Sequence, residues 1–257
     1  MKIFFKVVLI GVGLLLVLLL LSFLYHTYQI KSEAKKYPAP GKLVQVNNNE
    51  IHVYSEGEGD HTLVFMAGSG TSSPTIDFKP LWMKMTDDYR IVVIEKSGYG
   101  WSETSSSPRD INTVLQETRK ALELSGENGP YVLVPHSMSG LEATYWAQKY
   151  PDEVKAIIGI DPAIPDVYLN SDFNLPSKSQ LYVMYFISRI GISRFMGREG
   201  LESNIPLLKS DELSEEDKNE LISMFYKSTF TKNMLNEANY VKENARKVKN
   251  SSVPTNT

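Results

Sequence analysis

The stretch that decides the fold is residues 131–140, which read YVLVPHSMSG. Its first four residues are an apolar run typical of a buried strand. A helix-like segment, residues 141–150, follows the last glycine and stops at Pro151. A strand, a sharp turn carrying a serine, and a helix form a nucleophile elbow, which lifts the serine hydroxyl above a sheet. The stretch therefore predicts that Ser137 is a nucleophile.

Two positions depart from the G-x-S-x-G pattern of such elbows. Pro135 occupies the first glycine position, and Ser139 occupies the last and is followed by Gly140. Proline has a fixed φ and no N–H group, which is tolerable at the last residue of a strand. Taken alone, the motif would also fit an ordinary loop, so the surrounding sequence has to decide.

Three more apolar segments surround this one, at residues 62–66, 90–94 and 156–160. Each ends in a loop of small or polar residues, and helical patterns separate them. Such alternation predicts a parallel sheet covered by helices. Catalytic groups collect at the carboxyl ends of the strands in such sheets. Residues 47–49, NNN, predict a hairpin turn between two earlier strands.

These motifs together resemble the α/β-hydrolase family. The resemblance rests on the Ala67-Gly68 turn where the family usually has His-Gly, and on Gly98-x-Gly100-x-Ser102 after the next strand. It rests also on HSM at residues 136–138 and on YP at 150–151. It covers residues 43–165 closely. It implies a mostly parallel sheet with a helical cap and activity on an ester, amide or related bond. The family is too varied in chemistry to identify the substrate.

The resemblance also implies roles for individual residues. Ser137 would be the nucleophile, and the backbone N–H groups of Met138 and Ser69 would stabilise the oxyanion. Asp161 lies after the sixth strand, where some members place their catalytic acid. An aspartate before a proline is also a common turn initiator, so both interpretations stay open. Glu95 and Asp77 are expected to be solvated or to form turns.

A catalytic base is not evident. The chain has four histidines, at 26, 52, 61 and 136. The resemblance implies a catalytic histidine near the C-terminus, and it makes His136 structural. Residues 253–255, VPT, match the start of the family's seventh strand, so residues 249–257 are expected to be its truncated start. A natural short form is the alternative. Because the triad histidine is missing, the alternative function is a catalytically inactive truncated hydrolase or a membrane-tethered binding module.

The N-terminus predicts a membrane anchor. Residues 7–25 carry no charge and are rich in leucine. As a helix they would span about 28 Å, close to the thickness of the hydrocarbon core. No A-x-A cleavage site follows, which favours an uncleaved single-pass anchor in the cell membrane over a signal peptide. Lysines flank both sides, so the short N-terminal tail and the large following domain favour an extracytoplasmic domain.

The composition limits the partners. The net charge of −3 offers no basic surface for nucleic acid. The sequence has neither a metal-ligand cluster nor a phosphate loop, so no cofactor and no metal are expected. The absence of cysteine is compatible with an extracytoplasmic domain. Residues 179–190 are apolar and aromatic. They would line an acyl or alkyl pocket, which predicts a small-molecule substrate with an apolar group, or they would pack the cap onto the core.

The predicted organisation has five parts. They are a transmembrane anchor at residues 1–30, a tether at 31–42, the α/β-hydrolase core at 43–165, a helical cap at 166–248, and the start of a seventh strand at 249–257.

Overall fold

The structure is a computed structural model, and it describes residues 1–252. Within these residues the chain forms seven strands. They are β1 (Lys42–Val46), β2 (Asn49–Glu56), β3 (Thr62–Met66), β4 (Arg90–Glu95), β5 (Tyr131–Ser137), β6 (Val154–Ile157) and β7 (Ile160–Pro162).

The same residues form ten α-helices. They are α1 (Lys2–Lys36), α2 (Pro74–Asp77), α3 (Lys79–Trp82), α4 (Ile111–Ser125), α5 (Ser139–Lys149), α6 (Pro165–Leu169), α7 (Lys178–Arg189), α8 (Arg198–Asn204), α9 (Glu215–Ser228) and α10 (Lys232–Lys249). Short 3₁₀ turns cover Pro151–Glu153, Ile192–Phe195 and Pro206–Lys209.

The strands form one mostly parallel sheet in the order β1-β2-β4-β3-β5-β6, with β7 beside the end of β5. β3 pairs in parallel with β4 and β5, and β1 and β2 add an antiparallel edge. The central strands are almost entirely buried, as their continuous apolar sequences require. Helices cover both faces, so the predicted α/β fold class is confirmed.

The hairpin between β1 and β2 also agrees with the sequence. Asn47 and Asn48 both have positive φ values, 49° and 66°. Such turns match the twist of a hairpin, and asparagine tolerates the left-handed region better than most residues.

The predicted sixth strand is interrupted. The sequence indicates one strand over residues 156–160, but the structure has β6 and β7 with a break at Ile158 and Gly159. A Cβ on Gly159 would lie 2.3 Å from the Pro162 ring, so the chain can only bend back there because residue 159 is glycine. The break moves Asp161 onto a short strand next to the elbow.

α1 is longer than the predicted anchor. It runs unbroken to Lys36, about 52 Å at 1.5 Å per residue. The predicted tether at residues 31–42 is therefore helical over its first six residues. The helix is long and apolar enough to cross a membrane, and its apolar stretch is unburied.

The predicted cap also differs at its C-terminal end. α10 buries Val241, Ala245 and Val248 in the same core cluster as the sheet, so this helix packs on the sheet core. Lys249 is the last residue of α10. Residues 253–257, which hold most of the predicted start of a seventh strand, lie outside the described residues.

Candidate active site

Ser137 lies where the sequence predicts it, at the turn from β5 into α5. It is the last residue of β5, and α5 begins two residues later at Ser139. Its φ is +52°, in the left-handed region that L-residues rarely adopt. A strained residue of this kind costs about 1–3 kcal/mol and persists only where surrounding structure enforces it.

Two glycines, Gly68 and Gly140, allow backbone to approach the elbow closely. A Cβ on Gly68 would lie 2.7 Å from the Ser137 Cβ and 3.2 Å from its Oγ. A Cβ on Gly140 would lie 2.5 Å from the Ala163 carbonyl oxygen. Backbone thus approaches the serine closely from the β3 turn and from the chain after β7. These contacts explain why small residues are required here.

Ser139, which replaces the last glycine of the motif, stabilises the turn through hydrogen bonds of its hydroxyl. Its side chain is fully buried. Its Oγ accepts a hydrogen bond from the His136 N–H at 2.9 Å and lies 2.6 Å from the Met66 carbonyl, to which it can donate. The hydroxyl therefore links the elbow to the end of β3, so this departure from the pattern reinforces the turn.

Pro135 lies just beyond the regular pairing of β5 with β6. The last paired residues are Leu133 and Ile157, and the Ile158 N–H donates to the Leu133 carbonyl at 2.8 Å. In a parallel ladder, the nitrogens of residues 133 and 135 face the same neighbouring strand, so the missing N–H of Pro135 falls where this pairing has ended. A proline is tolerated at such a position.

The other predicted site residues lie around the elbow. Met138 follows Ser137 and is buried. Ser69 is exposed and follows the glycine that touches Ser137. Asp161 is exposed on β7, which pairs with the end of β5, and the Ala163 N–H donates to the Ser137 carbonyl at 2.8 Å. The fold thus brings the chain segments of Ser137, Met138, Ser69 and Asp161 together at the carboxyl ends of the strands.

None of the four histidines, all within the described residues, hydrogen-bonds to Ser137. His61 precedes β3, at the opposite end from the Gly68 turn, and contacts Lys155. His26 packs on Gly191 from α1. His136 presents its ring to Phe78 at 6.3 Å between centroids.

His52 is buried in a polar core with Glu95. Its Nδ1 lies 3.0 Å from a Glu95 oxygen, and its Nε2 accepts the Gly41 N–H at 3.0 Å. Glu95 also accepts from the Trp101 N–H at 2.7 Å and the Thr75 hydroxyl at 2.9 Å. Burial opposes ionisation of Glu95, but His52 and the backbone N–H groups of Trp101 and Thr75 outweigh it and hold the pKa of Glu95 below its usual value.

The expectation that Glu95 is solvated or turn-forming is therefore wrong, since its side chain is fully buried. Asp77, the last residue of α2, is also largely shielded. Burial, and then the nearby Glu95 charge, raise its pKa to about 7. Neither environment follows from local sequence, because both depend on partners brought from distant segments.

A network of buried charges, which the sequence did not reveal, lies beside Met138. Lys96 binds Glu142 at 2.7 Å and lies 3.5 Å from Glu237, while Arg109 binds Glu117 at 2.6 Å. Each of these charged side chains is at least nine-tenths buried. The residues are spread over positions 96–237, so no local spacing could have predicted their contact.

This network reaches the loop after β4. The Tyr99 hydroxyl donates to Glu237 at 2.5 Å. Burial, reinforced by the Glu237 charge, raises the pKa of Tyr99 well above its usual value, so the phenol stays a donor. Burial likewise raises the pKa of Glu142, partly offset by Lys96.

Within residues 1–252, no group of three His, Cys, Asp or Glu side chains is arranged to hold a metal ion.

One cavity lies apart from Ser137. A cavity of about 300 Å³ opens beside Tyr131, at the amino end of β5, and is lined also by Arg119, Trp146 and Glu153. It lies at the opposite end of β5 from Ser137.

Comparison with known proteins agrees with this architecture. The family described as alpha/beta hydrolase fold matches residues 70–188. The uncharacterized protein YbdG of Bacillus subtilis is 37% identical over 253 residues, which cover 98% of this chain and 77% of YbdG. The 2-(acetamidomethylene)succinate hydrolase of Mesorhizobium japonicum is 25% identical over 120 residues, 47% of this chain and 42% of that enzyme.

Solved structures share the fold at low identity. The enol-lactonase from Burkholderia xenovorans LB400 superposes with a TM-score of 0.53 and 15% identity, over 82% of this chain and 75% of the enzyme. An epoxide hydrolase of Bacillus megaterium gives a TM-score of 0.54 and 21% identity, over 80% and 75%. These structures share the fold, and the family match over residues 70–188, together with the sheet order and the elbow, shows that the chain belongs to the α/β-hydrolase family.

Proposed function

We propose that this chain is a membrane-anchored hydrolase that attacks an ester, amide or related bond through the Ser137 hydroxyl. The observation that carries the proposal is the elbow itself. Ser137 has a positive φ at the junction of a buried strand and a helix, with the Gly68 backbone against its side chain. This geometry exposes a hydroxyl at the carboxyl end of the sheet, which is its use in α/β-hydrolases.

The proposed chemistry is acyl transfer. The Ser137 Oγ attacks a carbonyl carbon, and the backbone N–H groups of Met138 and Ser69 stabilise the oxyanion that forms. A base must take the hydroxyl proton and then return it to the leaving group. Asp161, on the strand paired with the elbow, is the proposed acid that would orient such a base. The substrate is a small molecule with an apolar group, bound at the carboxyl end of β5 next to Ser137. The apolar side chains of residues 179–190 that the sequence suggested for its pocket are mostly exposed, so they are not assigned to it.

The four histidines are the main constraint on rate. His52 is committed to Glu95 and Gly41, and the others lie away from the Ser137 hydroxyl. Oxyanion donors and substrate binding alone still give roughly 10³–10⁴-fold catalysis over water when a triad member is missing. We therefore expect slow, Ser137-dependent turnover from this chain.

The test is hydrolysis of p-nitrophenyl butyrate and octanoate by the full chain in detergent micelles. Ser137→Ala should remove the activity above background. Ser32→Ala, on α1, is the matched control and should behave as wild type. Equal rates for wild type and Ser137→Ala would contradict the hydrolase proposal. Fast turnover that requires Ser137 would instead show that one of the four histidines or a partner supplies the base.

The lack of an available histidine favours a second candidate, a membrane-tethered binding module without catalysis. The carboxyl ends of the strands would then hold a ligand without cleaving it. A fluorophosphonate probe separates the two candidates, because it labels only a reactive serine. Labelling of wild type but not of Ser137→Ala supports the hydrolase, and a lack of labelling in both supports the binding module.

Contacts between α1 and the cap support an uncleaved anchor. The Ser22 hydroxyl donates to the Ile190 carbonyl at 2.6 Å, and Arg194 binds Glu33 through two hydrogen bonds of 2.7 Å. Cleavage after residue 25 would remove part of this packing. Deleting residues 1–30 should release the protein from membranes washed with carbonate, whereas the full chain should stay. Retention of the deleted protein would show that another element holds it.

We place the globular domain outside the cytoplasm, with α1 as a single pass through the cell membrane. The proposal is supported by the large domain that follows α1, because long domains translocate largely regardless of their charge. A protease added to intact spheroplasts should digest the domain, and a cytoplasmic marker protein should survive. Protection of the domain would reverse the proposed orientation.

A further inference from the structure

The cap exposes an apolar helix face. α7 turns Leu181, Tyr185 and Ser188 towards the protein, and they are buried or half-buried. Its opposite face carries Tyr182, Val183, Phe186 and Ile187, which are 41–62% exposed. Helix faces in contact with water are normally polar. A continuous apolar stripe without a charge therefore indicates a partner surface.

The stripe continues into the next turn and meets α1. Ile192 and Phe195, in the 3₁₀ turn after α7, are 41% and 68% exposed. The Tyr25 and Phe195 rings lie 6.4 Å apart. A groove of about 530 Å³ separates this turn from α1 and is almost wholly apolar. It is lined by Leu18, Leu19, Leu21, Ser22, Tyr25, Ile192 and Phe195.

These contacts set the depth of the cap relative to the apolar stretch of α1. Leu18 lies seven residues before Tyr25, or about 10 Å along the helix. The turn at Ile192 and Phe195 thus flanks the last 10 Å or so of residues 7–25. If those residues lie in a bilayer, this part of the cap cannot remain in bulk water.

We infer that the cap patch, defined as Tyr182, Val183, Phe186, Ile187, Ile192 and Phe195, is seated in the lipid bilayer at the boundary between headgroups and acyl chains. The inference rests on the proposed anchor. Amphipathic helices lie in this boundary with their apolar faces buried about 5–10 Å deep. Tyrosine and other aromatic side chains suit the interface.

Exposed lysines lie beyond the apolar stretch of α1 and at the start of α7. They are Lys31, Lys35 and Lys178. Long basic side chains close to a membrane extend to the headgroups. A lipid surface therefore accommodates both the apolar patch and these lysines. The domain would be held by two attachments, α1 and the cap patch.

The absence of native cysteine allows a direct test with single labelled cysteines. Phe186→Cys and Phe195→Cys report on the cap patch. Leu16→Cys reports on the anchor. Leu124→Cys, on α4 and 45% exposed, is the matched apolar control away from the patch. Each full-length variant carries a nitrobenzoxadiazole label in vesicles of phosphatidylethanolamine and phosphatidylglycerol that contain spin-labelled lipid.

Labels at positions 186 and 195 should lose roughly half of their fluorescence to lipid spin-labelled near the headgroup, as expected for a shallow interfacial site. The label at position 16 should respond most to a spin label deep in the acyl chain, and the label at 124 to neither. Changing both Phe186 and Ile187 to Asp in the Phe195→Cys background should reduce quenching at 195. An unchanged melting temperature would show that the fold is intact.

The possible failures are distinguishable. Quenching at 16 but not at 186 or 195 would overturn the docking and leave the anchor in place. No quenching at 16 would overturn the anchor and the docking with it. A third outcome is that the labels at 186 and 195 are shielded from aqueous iodide but are not quenched by spin-labelled lipid. That result would show that protein, such as a second copy of the chain, covers the patch. It would also overturn the inference.

Discussion

The buried ion pair of Lys96 and Glu142 allows a quantitative test of the structure. Their charged atoms lie 2.7 Å apart, and the side chains are 4% and 9% exposed. The chain supplies its own control in Lys84 and Glu212, 2.8 Å apart but 58% and 50% exposed. The two pairs have nearly equal distances between their charged atoms but opposite burial. Comparing them therefore isolates the effect of burial on the stability that each pair contributes.

Changing Lys96 to Met removes the cation that faces two buried carboxylates, Glu142 at 2.7 Å and Glu237 at 3.5 Å. Breaking a buried pair by removing one partner costs about 3–5 kcal/mol, because the remaining charge is left in a poorly polarisable environment. Lys84→Met breaks an exposed pair and should cost less than about 1 kcal/mol. The predicted gap is therefore at least about 2 kcal/mol.

Urea unfolding of the full chain in detergent micelles, followed by tryptophan fluorescence, measures both costs at pH 7. The double variant Lys96→Met/Glu142→Leu should recover most of the loss, since it removes the uncompensated carboxylate together with the lysine. Equal losses for Lys96→Met and Lys84→Met would refute the reasoning. So would a double variant no more stable than Lys96→Met alone.

Two further predictions concern Ser139 and Asp77. Ser139→Ala should lower the free energy of unfolding by about 1–3 kcal/mol, because it leaves the His136 N–H without its acceptor and the buried Met66 carbonyl without the Ser139 donor. Unchanged urea unfolding would contradict the proposed role of the hydroxyl. Asp77 has a folded pKa raised to about 7 by burial and by the Glu95 charge. Its contribution to stability is therefore complete at acidic pH and is lost as the pH rises through 7. Asp77→Asn should stabilise the protein at pH 8 by up to about 4 kcal/mol and have little effect near pH 4, and a pH-independent effect in urea unfolding would show that this carboxyl titrates normally.

The elbow and the strands around it could be predicted because their physical requirements are local. Buried parallel strands need continuous apolar residues, and the turns that end them need small ones. β3, β4 and β5 therefore agree with the sequence to within a few residues at their ends. The position of Ser137 at the turn could be predicted for the same reason, since strand, turn and helix are adjacent in the chain. The strain at Ser137 was implied by the motif and appears as its positive φ.

The buried charges could not be predicted because their partners are distant in sequence. Glu95 at the end of a strand looks like a solvated residue until His52 and Thr75 are placed around it. Lys96 and Glu237 are far apart in the chain and meet only in the fold. Nothing in a single segment distinguishes a paired buried carboxylate from an exposed one.

The helical start of the predicted tether at residues 31–42 could not be predicted for a similar reason. A lysine-rich stretch after an apolar segment suggests a solvated linker, yet the helix continues to Lys36. The ion pair between Glu33 and Arg194 joins this part of α1 to a turn 161 residues away. Tertiary contact thus supports a helix that composition alone would end, and it makes the first half of the predicted tether a rigid connection.

That rigid connection ends at the loop after β4, where three parts of the molecule meet. Trp101 donates from its indole to the Tyr37 carbonyl, just after α1. The adjacent Gly100 carbonyl accepts from Lys227 at 3.0 Å and Ser228 at 2.8 Å, both in the cap. The Gly100 N–H donates to the Ser72 carbonyl at 3.0 Å, three residues after Ser69.

The loop can make these contacts only because residue 100 is glycine. Its φ is +47°, and a Cβ there would lie 2.0–2.4 Å from the Glu95 carboxyl group. The buried Glu95 thus occupies the space beneath the loop and fixes it through the Trp101 N–H. Because one loop binds the end of α1, the cap and the segment after Ser69, none of the three can move far without displacing the others. If α1 spans a membrane as proposed, the orientation of the Ser137 elbow relative to the bilayer is then set by these hydrogen bonds and not by a flexible linker.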